Sequence, residues 1–137
     1  MEQNIQSISK FSENPLIAYF PQLNYDPITR LYYIPENFKD RNSLYLNRIT
    51  ENGGEVRNLD FISSLECLTE VDGFMIPGGA DIDPVNYNQR KNPKTVPHPL
   101  GNKRVEMERK ILEILPKGVP ILGICYGAQI LNILRGF

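Results

Sequence analysis

Cys125 is the residue of this chain with the clearest chemical potential. It stands at the centre of Gly123-Ile124-Cys125-Tyr126-Gly127, after the apolar run Val119-Pro120-Ile121-Leu122 and before the helix-like Ala128-Gln129-Ile130-Leu131-Asn132-Ile133-Leu134. Gly-x-nucleophile-x-Gly between a strand and a helix is the pattern of a nucleophile elbow. A turn that sharp strains the central residue, and side chains on the flanking glycines would collide with strand and helix. It lifts a thiol to a helix N-terminus, whose dipole favours anions. A thiolate attacking an amide carbonyl creates an oxyanion that needs preorganised donors. The backbone N–H of Tyr126 is one natural donor. A second is expected from a loop that lets backbone come close, which Gly78-Gly79 after an apolar stretch offers.

The other reactive residues read more plainly. Cys67 has no glycine elbow and no neighbouring base, and is expected to be a packing residue. The single histidine, His98, lies in Pro97-His98-Pro99 upstream of Cys125 and reads as an exposed loop residue, on a loop at the right edge of the sheet to approach the thiol. Asp81 and Asp83 form a loop pair of the kind that makes turns and caps, so no metal site and no cofactor are expected.

The elements that must position Cys125 follow from the chain's punctuation. Apolar runs at Leu16–Phe20, Glu55–Leu59, Val71–Pro77 and Val119–Ile124 predict four strands. Helices are expected from Leu44 to about Asn52, capped by Asn42-Ser43 and ended by Gly53-Gly54, then a short one over Phe61–Glu70. A third is expected from Lys103 to Leu115, with Met107, Ile111, Leu112 and Leu115 on one stripe. Gln22–Asp40 and Ala80–Asn102 are expected to be loops, the second long enough to be functional or disordered. Residues 1–14 are expected to be a loose leader, with one domain over 15–137. Strands alternating with helices imply an α/β fold: a parallel sheet covered on both faces, binding ligands beyond the carboxyl ends of its strands. Both glycine motifs fall at that edge.

Composition excludes several classes. The chain has 137 residues, 41% of them hydrophobic, and a formal net charge of -1 with scattered basic residues. It can bury a core, carries no nucleic-acid or anionic-membrane footprint, and has no apolar run near the ~20 residues needed to span a bilayer. Two cysteines and a polar N-terminus without a signal-peptide layout predict a cytoplasmic protein.

The two motifs together, Pro77-Gly78-Gly79-Ala80-Asp81-Ile82-Asp83-Pro84 and Gly123-Ile124-Cys125-Tyr126-Gly127-Ala128-Gln129, resemble the class I glutamine amidotransferase-like superfamily. They look most like its γ-glutamyl hydrolase branch, which includes γ-glutamyl-γ-aminobutyrate hydrolases. Arg104 and Glu108 stand where that branch tends to show Arg-Asp-x-x-Glu, with Val105 replacing the Asp. The resemblance implies a flavodoxin-like fold and hydrolysis of a small γ-glutamyl amide through a thioester on Cys125. It further implies an oxyanion hole from the N–H groups of Gly79 and Tyr126, and a glutamyl site that includes Gln129 and Gly78. The family's catalytic His and Glu follow the nucleophile, and His98 does not match that His. Where the branch continues into Gly-Gly-Thr, this chain has Leu134-Arg135-Gly136-Phe137. A C-terminally truncated or split member is therefore expected, with an unpaired apolar strand edge and little activity unless a complementing chain or second copy supplies the base. The alternatives are a glutaminase component of an ammonia-channelling complex, an α/β-hydrolase with a Cys nucleophile, and an inactive remnant or binding module.

Overall fold

The computed structural model describes residues 14–136, so apart from Asn14 the expected leader lies outside the described residues. Four strands form one parallel sheet: β1 (Leu16–Tyr19), β4 (Glu55–Asn58), β5 (Gly73–Ile76) and β6 (Ile121–Gly123), in the order β4-β1-β5-β6. The register pairs Ile17 with Val56 and Gly73, and Ile76 with Gly123. This is the flavodoxin-like α/β arrangement expected from the alternation of apolar runs and helical stripes.

Period-two alternation sends β-strand side chains to opposite faces. Ala18, Phe74 and Ile76 join the main core with Val105, Met107 and Ile111 of α2 (Gly101–Ile114) and Tyr126 and Ile130 of α3 (Tyr126–Arg135). The stripe Met107, Ile111, Leu112, Leu115 is buried as its spacing predicts. Ile17, Met75 and Leu122 face the other way, towards Ile49 of α1 (Lys39–Glu51). Helices thus lie on both faces of the sheet.

Three expectations need correction. Helix α1 begins at Lys39, five residues before Leu44, so Asn42 is inside the helix and does not cap it. Its side-chain oxygen instead accepts from the Tyr19 hydroxyl at 2.6 Å, a tertiary contact that no local capping rule anticipates. The segment 22–40 is not all loop: β2 (Asn24–Asp26) and β3 (Leu31–Tyr33) form an antiparallel hairpin. The Asp26 carboxylate closes its turn by accepting from the N–H of Ile28 at 2.9 Å. The helix expected over 61–70 is a 3-10 helix over Leu65–Glu70, started by the Ser64 side chain accepting from the N–H of Glu66. Within the expected loop 80–102, a further 3-10 turn, Pro84–Tyr87, is capped by the Asp83 carboxylate. No helix among the described residues is long and apolar enough to cross a membrane.

Candidate functional site

The elbow forms where β6 gives way to α3. The N–H of Ile124 still donates to the Ile76 carbonyl at 2.9 Å, as a strand residue would. Cys125 then turns the chain with φ 52 and ψ -109, a backbone region that side-chain-bearing residues rarely adopt. From there the helix winds up, with the N–H of Gln129 donating to the Cys125 carbonyl at 3.1 Å. A Cβ on Gly123 would stand 2.5 Å from the Gly127 carbonyl group, and one on Gly127 would run into the Ile76 carbonyl. Strand and helix touch backbone to backbone, so only glycine fits at either position. The Cys125 thiol that results is unpaired and exposed.

The Pro77-Gly78-Gly79 segment leaves β5 beside this elbow. A Cβ built on Gly78 would lie 3.9 Å from the Cys125 Cβ and 3.4 Å from the Tyr45 hydroxyl. The two glycine motifs, 44 positions apart at Gly79 and Gly123, therefore meet at the carboxyl edge of the sheet. Gln129, one turn along α3 and exposed, borders a cavity of about 490 Å³ together with Asp81, Tyr87, Thr95 and Asn132. On the other side of Gly78, Tyr19, Gln22, Asn42 and Tyr45 enclose a space of only about 20 Å³, room for roughly one water.

Beneath the junction lies a polar cluster whose role the sequence did not reveal. Arg104 and Glu108, one helical turn apart on α2, are both fully buried, with Nε 3.2 Å from Oε2. Nη1 of Arg104 donates to the Gln22 side-chain oxygen at 3.3 Å, and Nη2 donates to the carbonyls of Phe20 and Pro77 at 3.4 and 3.2 Å. Its guanidinium carbon lies 3.8 Å from the centre of the Tyr126 ring, within cation–π range. The Tyr126 hydroxyl donates to Glu108 Oε1 at 2.6 Å. Burial pushes the Glu108 carboxyl up to about 7, opposed by the Arg104 charge and by the hydrogen bond from Tyr126. Burial, then the Glu108 charge, pushes up the Tyr126 phenol. A Cβ on Gly79 would collide with the Arg104 guanidinium. Gln22 must turn its oxygen to Arg104, which can only donate. Its buried amide nitrogen is left without a partner among the described residues. One signal was available: Arg104 and Glu108 continue the buried register of Ile111 and Leu115, so the helical period itself carries two charges into the interior.

His98 corrects an expectation. It is half-buried rather than exposed. Its Nε2 lies 2.5 Å from the Asn24 side-chain oxygen, and its Nδ1 accepts from the N–H of Leu100 at 3.0 Å. That pairing requires the proton on Nε2 of a neutral ring. Burial and the Arg104 charge both hold its pKa below the usual imidazole value. With both ring nitrogens engaged, His98 ties its loop to β2. Cys67 is half-buried against the core and donates to the Ser64 carbonyl, a packing residue as expected.

A parallel α/β sheet with a Gly-x-Cys-x-Gly elbow beside a Pro-Gly-Gly loop is the arrangement of a class I glutamine amidotransferase-like protein. The chain belongs to the Peptidase C26 family, which it matches over residues 42–136. It is 36% identical over 74 residues to "Putative glutamine amidotransferase Rv2859c" of Mycobacterium tuberculosis, covering 53% of this chain and 24% of that protein. It is 38% identical over 69 residues to "Putative glutamine amidotransferase-like protein YvdE" of Lactococcus lactis, covering 50% of this chain and 29% of that protein. A "Putative glutamine amidotransferase-like protein RP404" of Rickettsia prowazekii is 42% identical over 67 residues, 47% of this chain and 23% of that protein. The matched part of the chain spans about a quarter of the length of these relatives.

Proposed function

We propose that this chain carries the nucleophile of a glutamine amidotransferase-like site of the γ-glutamyl hydrolase kind. The Cys125 thiolate adds to the γ-carbonyl of a small γ-glutamyl amide. A carbon–sulfur bond forms while the carbonyl π pair moves onto oxygen. The backbone N–H groups of Gly79 and Tyr126 receive that charge. Collapse of the adduct expels the amine with a proton and leaves a thioester. Water then cleaves the thioester to glutamate and regenerates the thiol. In this reading Gln129, on the cavity that also carries Asp81, and Gly78, beside Cys125, border the glutamyl group. The observation that carries this reading is the close approach of Gly78 to Cys125, 3.9 Å between the built and actual Cβ positions.

Proton transfer needs a base, and His98 has both ring nitrogens occupied. In this reading the base comes from residues outside 14–136 or from a complementing chain, which fits relatives about four times the length of the matched segment. The chain then acts as the nucleophile-bearing part of a larger or assembled site. The engaged His98 favours one second reading, a γ-glutamyl-binding module without turnover.

A diazoketone analogue of glutamine tests the proposal. It is expected to label Cys125 much faster than Cys67, with free glutamine protecting, and Cys125→Ala is expected to abolish the fast phase in mass spectrometry. Equal rates at the two cysteines would sink both the hydrolase and the binding-module readings.

A further inference from the structure

We propose that the buried Arg104–Glu108 pair is the positioning device of the oxyanion hole, holding the loop that bears Gly79 and the elbow that bears Tyr126 in one fixed relation. The inference rests on the hydrolase reading of the site. Gly79 and Tyr126 come from different elements, the end of β5 and the start of α3, and the β5–β6 pairing stops short of both, at Ile76 with Gly123 and Ile124. One guanidinium touches both. Its edge holds the Pro77 carbonyl at 3.2 Å, two residues before Gly79. Its face lies 3.8 Å from the centre of the Tyr126 ring. The missing Cβ of Gly79 lets that loop settle directly on Nη1.

Glu108 closes the arrangement. Its Oε2 takes Nε of Arg104 at 3.2 Å and its Oε1 takes the Tyr126 hydroxyl at 2.6 Å. Neither the carboxyl nor the guanidinium reaches solvent. A buried ion pair adds little stability over apolar residues of the same volume, whereas a planar fork with fixed donor directions sets geometry. Here the donor directions run to the ends of β1 and β5, through Phe20, Gln22 and Pro77. Lysine, a point charge on a flexible stem, cannot make these contacts together.

The nitrile analogue of glutamine, 2-amino-4-cyanobutanoate, separates positioning from packing. The thiol adds across its C≡N bond: sulfur bonds carbon, and nitrogen receives the π pair and the thiol proton. That nitrogen then sits where the oxyanion would. Iodoacetamide instead alkylates Cys125 by displacing iodide and uses no oxyanion hole. The nitrile's inhibition constant against Cys125 alkylation is read by mass spectrometry. Arg104→Lys is expected to weaken nitrile binding about ten-fold or more, while the uninhibited alkylation rate stays within about two-fold. Tyr126→Phe keeps the ring on the guanidinium and removes only the hydroxyl held by Glu108. It is expected to show the same split at smaller size, and it stands as the test if Arg104→Lys does not fold. Unchanged nitrile binding in a folded variant, or parallel loss with both reagents, would overturn the proposal. A wild-type chain that iodoacetamide alkylates but the nitrile never protects would overturn the hydrolase reading and the inference with it.

Discussion

At the scale of single residues, Cys125 stores strain. Its φ of 52 and ψ of -109 lie where a Cβ is unwelcome, and the neighbouring contacts hold it there. Gly123 and Gly127 are fixed by contact, not by φ, since a Cβ on either would enter backbone atoms. Cys125→Gly is therefore expected to unfold later in denaturant than Cys125→Ala, by about 1–2 kcal/mol after allowing for glycine's freedom in the unfolded chain. Equal stability of the two variants would mean that the strain is no larger than glycine's entropic cost in the unfolded chain, and a less stable Cys125→Gly would mean that the turn is unstrained. The glycine spacing makes the elbow legible in the sequence because the steric demand is local. The partnership of Gly78 with Cys125 is not local and depends on β5 and β6 lying side by side.

At the scale of elements, α2 is the informative case. Its apolar stripe is readable from spacing, yet the same face carries Arg104 and Glu108 into the core. Burial lifts the Glu108 carboxyl from 4.5 to about 7. A carboxyl with a folded pKa above its unfolded one holds its proton more tightly when folded. Its stabilisation is complete below 4.5 and is lost as the pH rises to about 7. His98, held below 6.5, works with the opposite sign, adding stability as the pH rises towards that value. The difference between wild type and Glu108→Gln isolates the carboxyl. Urea unfolding is expected to show that difference shrinking by on the order of 2–3 kcal/mol between these limits. A difference that stays level or grows with pH would contradict this burial-driven shift. Helix α1 shows the converse limit of local reading. Asn42 has a capping side chain, but the Tyr19 hydroxyl takes its oxygen, and the helix starts a turn earlier.

At the scale of the whole molecule, the sheet leaves part of the α1 face and the β6 edge uncovered among the described residues. Strand β6 pairs only with β5. Ile17, Met75 and Leu122 line a groove of about 320 Å³ beside α1, and Leu122 is 55% exposed. An unpaired apolar edge is a template for association. The purified 137-residue chain is expected to self-associate with rising concentration. Leu122→Lys is expected to move it towards monomer in sedimentation velocity without changing its circular dichroism. Association that is insensitive to this charge would locate the contact away from β6.

The sequence alone determined the parallel α/β fold, the four sheet strands, the buried stripe of α2 and the elbow at Cys125. Each of these is written in short-range terms, as the period of apolar residues or a glycine where backbone must touch backbone. It did not reveal the β2–β3 hairpin, whose alternation spans only three residues per strand. Nor did it show that both nitrogens of His98 are occupied, or that Arg104 joins the ends of β1 and β5 to the start of α3. Those depend on partners 74, 84, 27 and 18 positions away in the chain. Only the packed sheet decides which of them meet, because a buried polar group bonds to whatever acceptor the tertiary fold brings within reach.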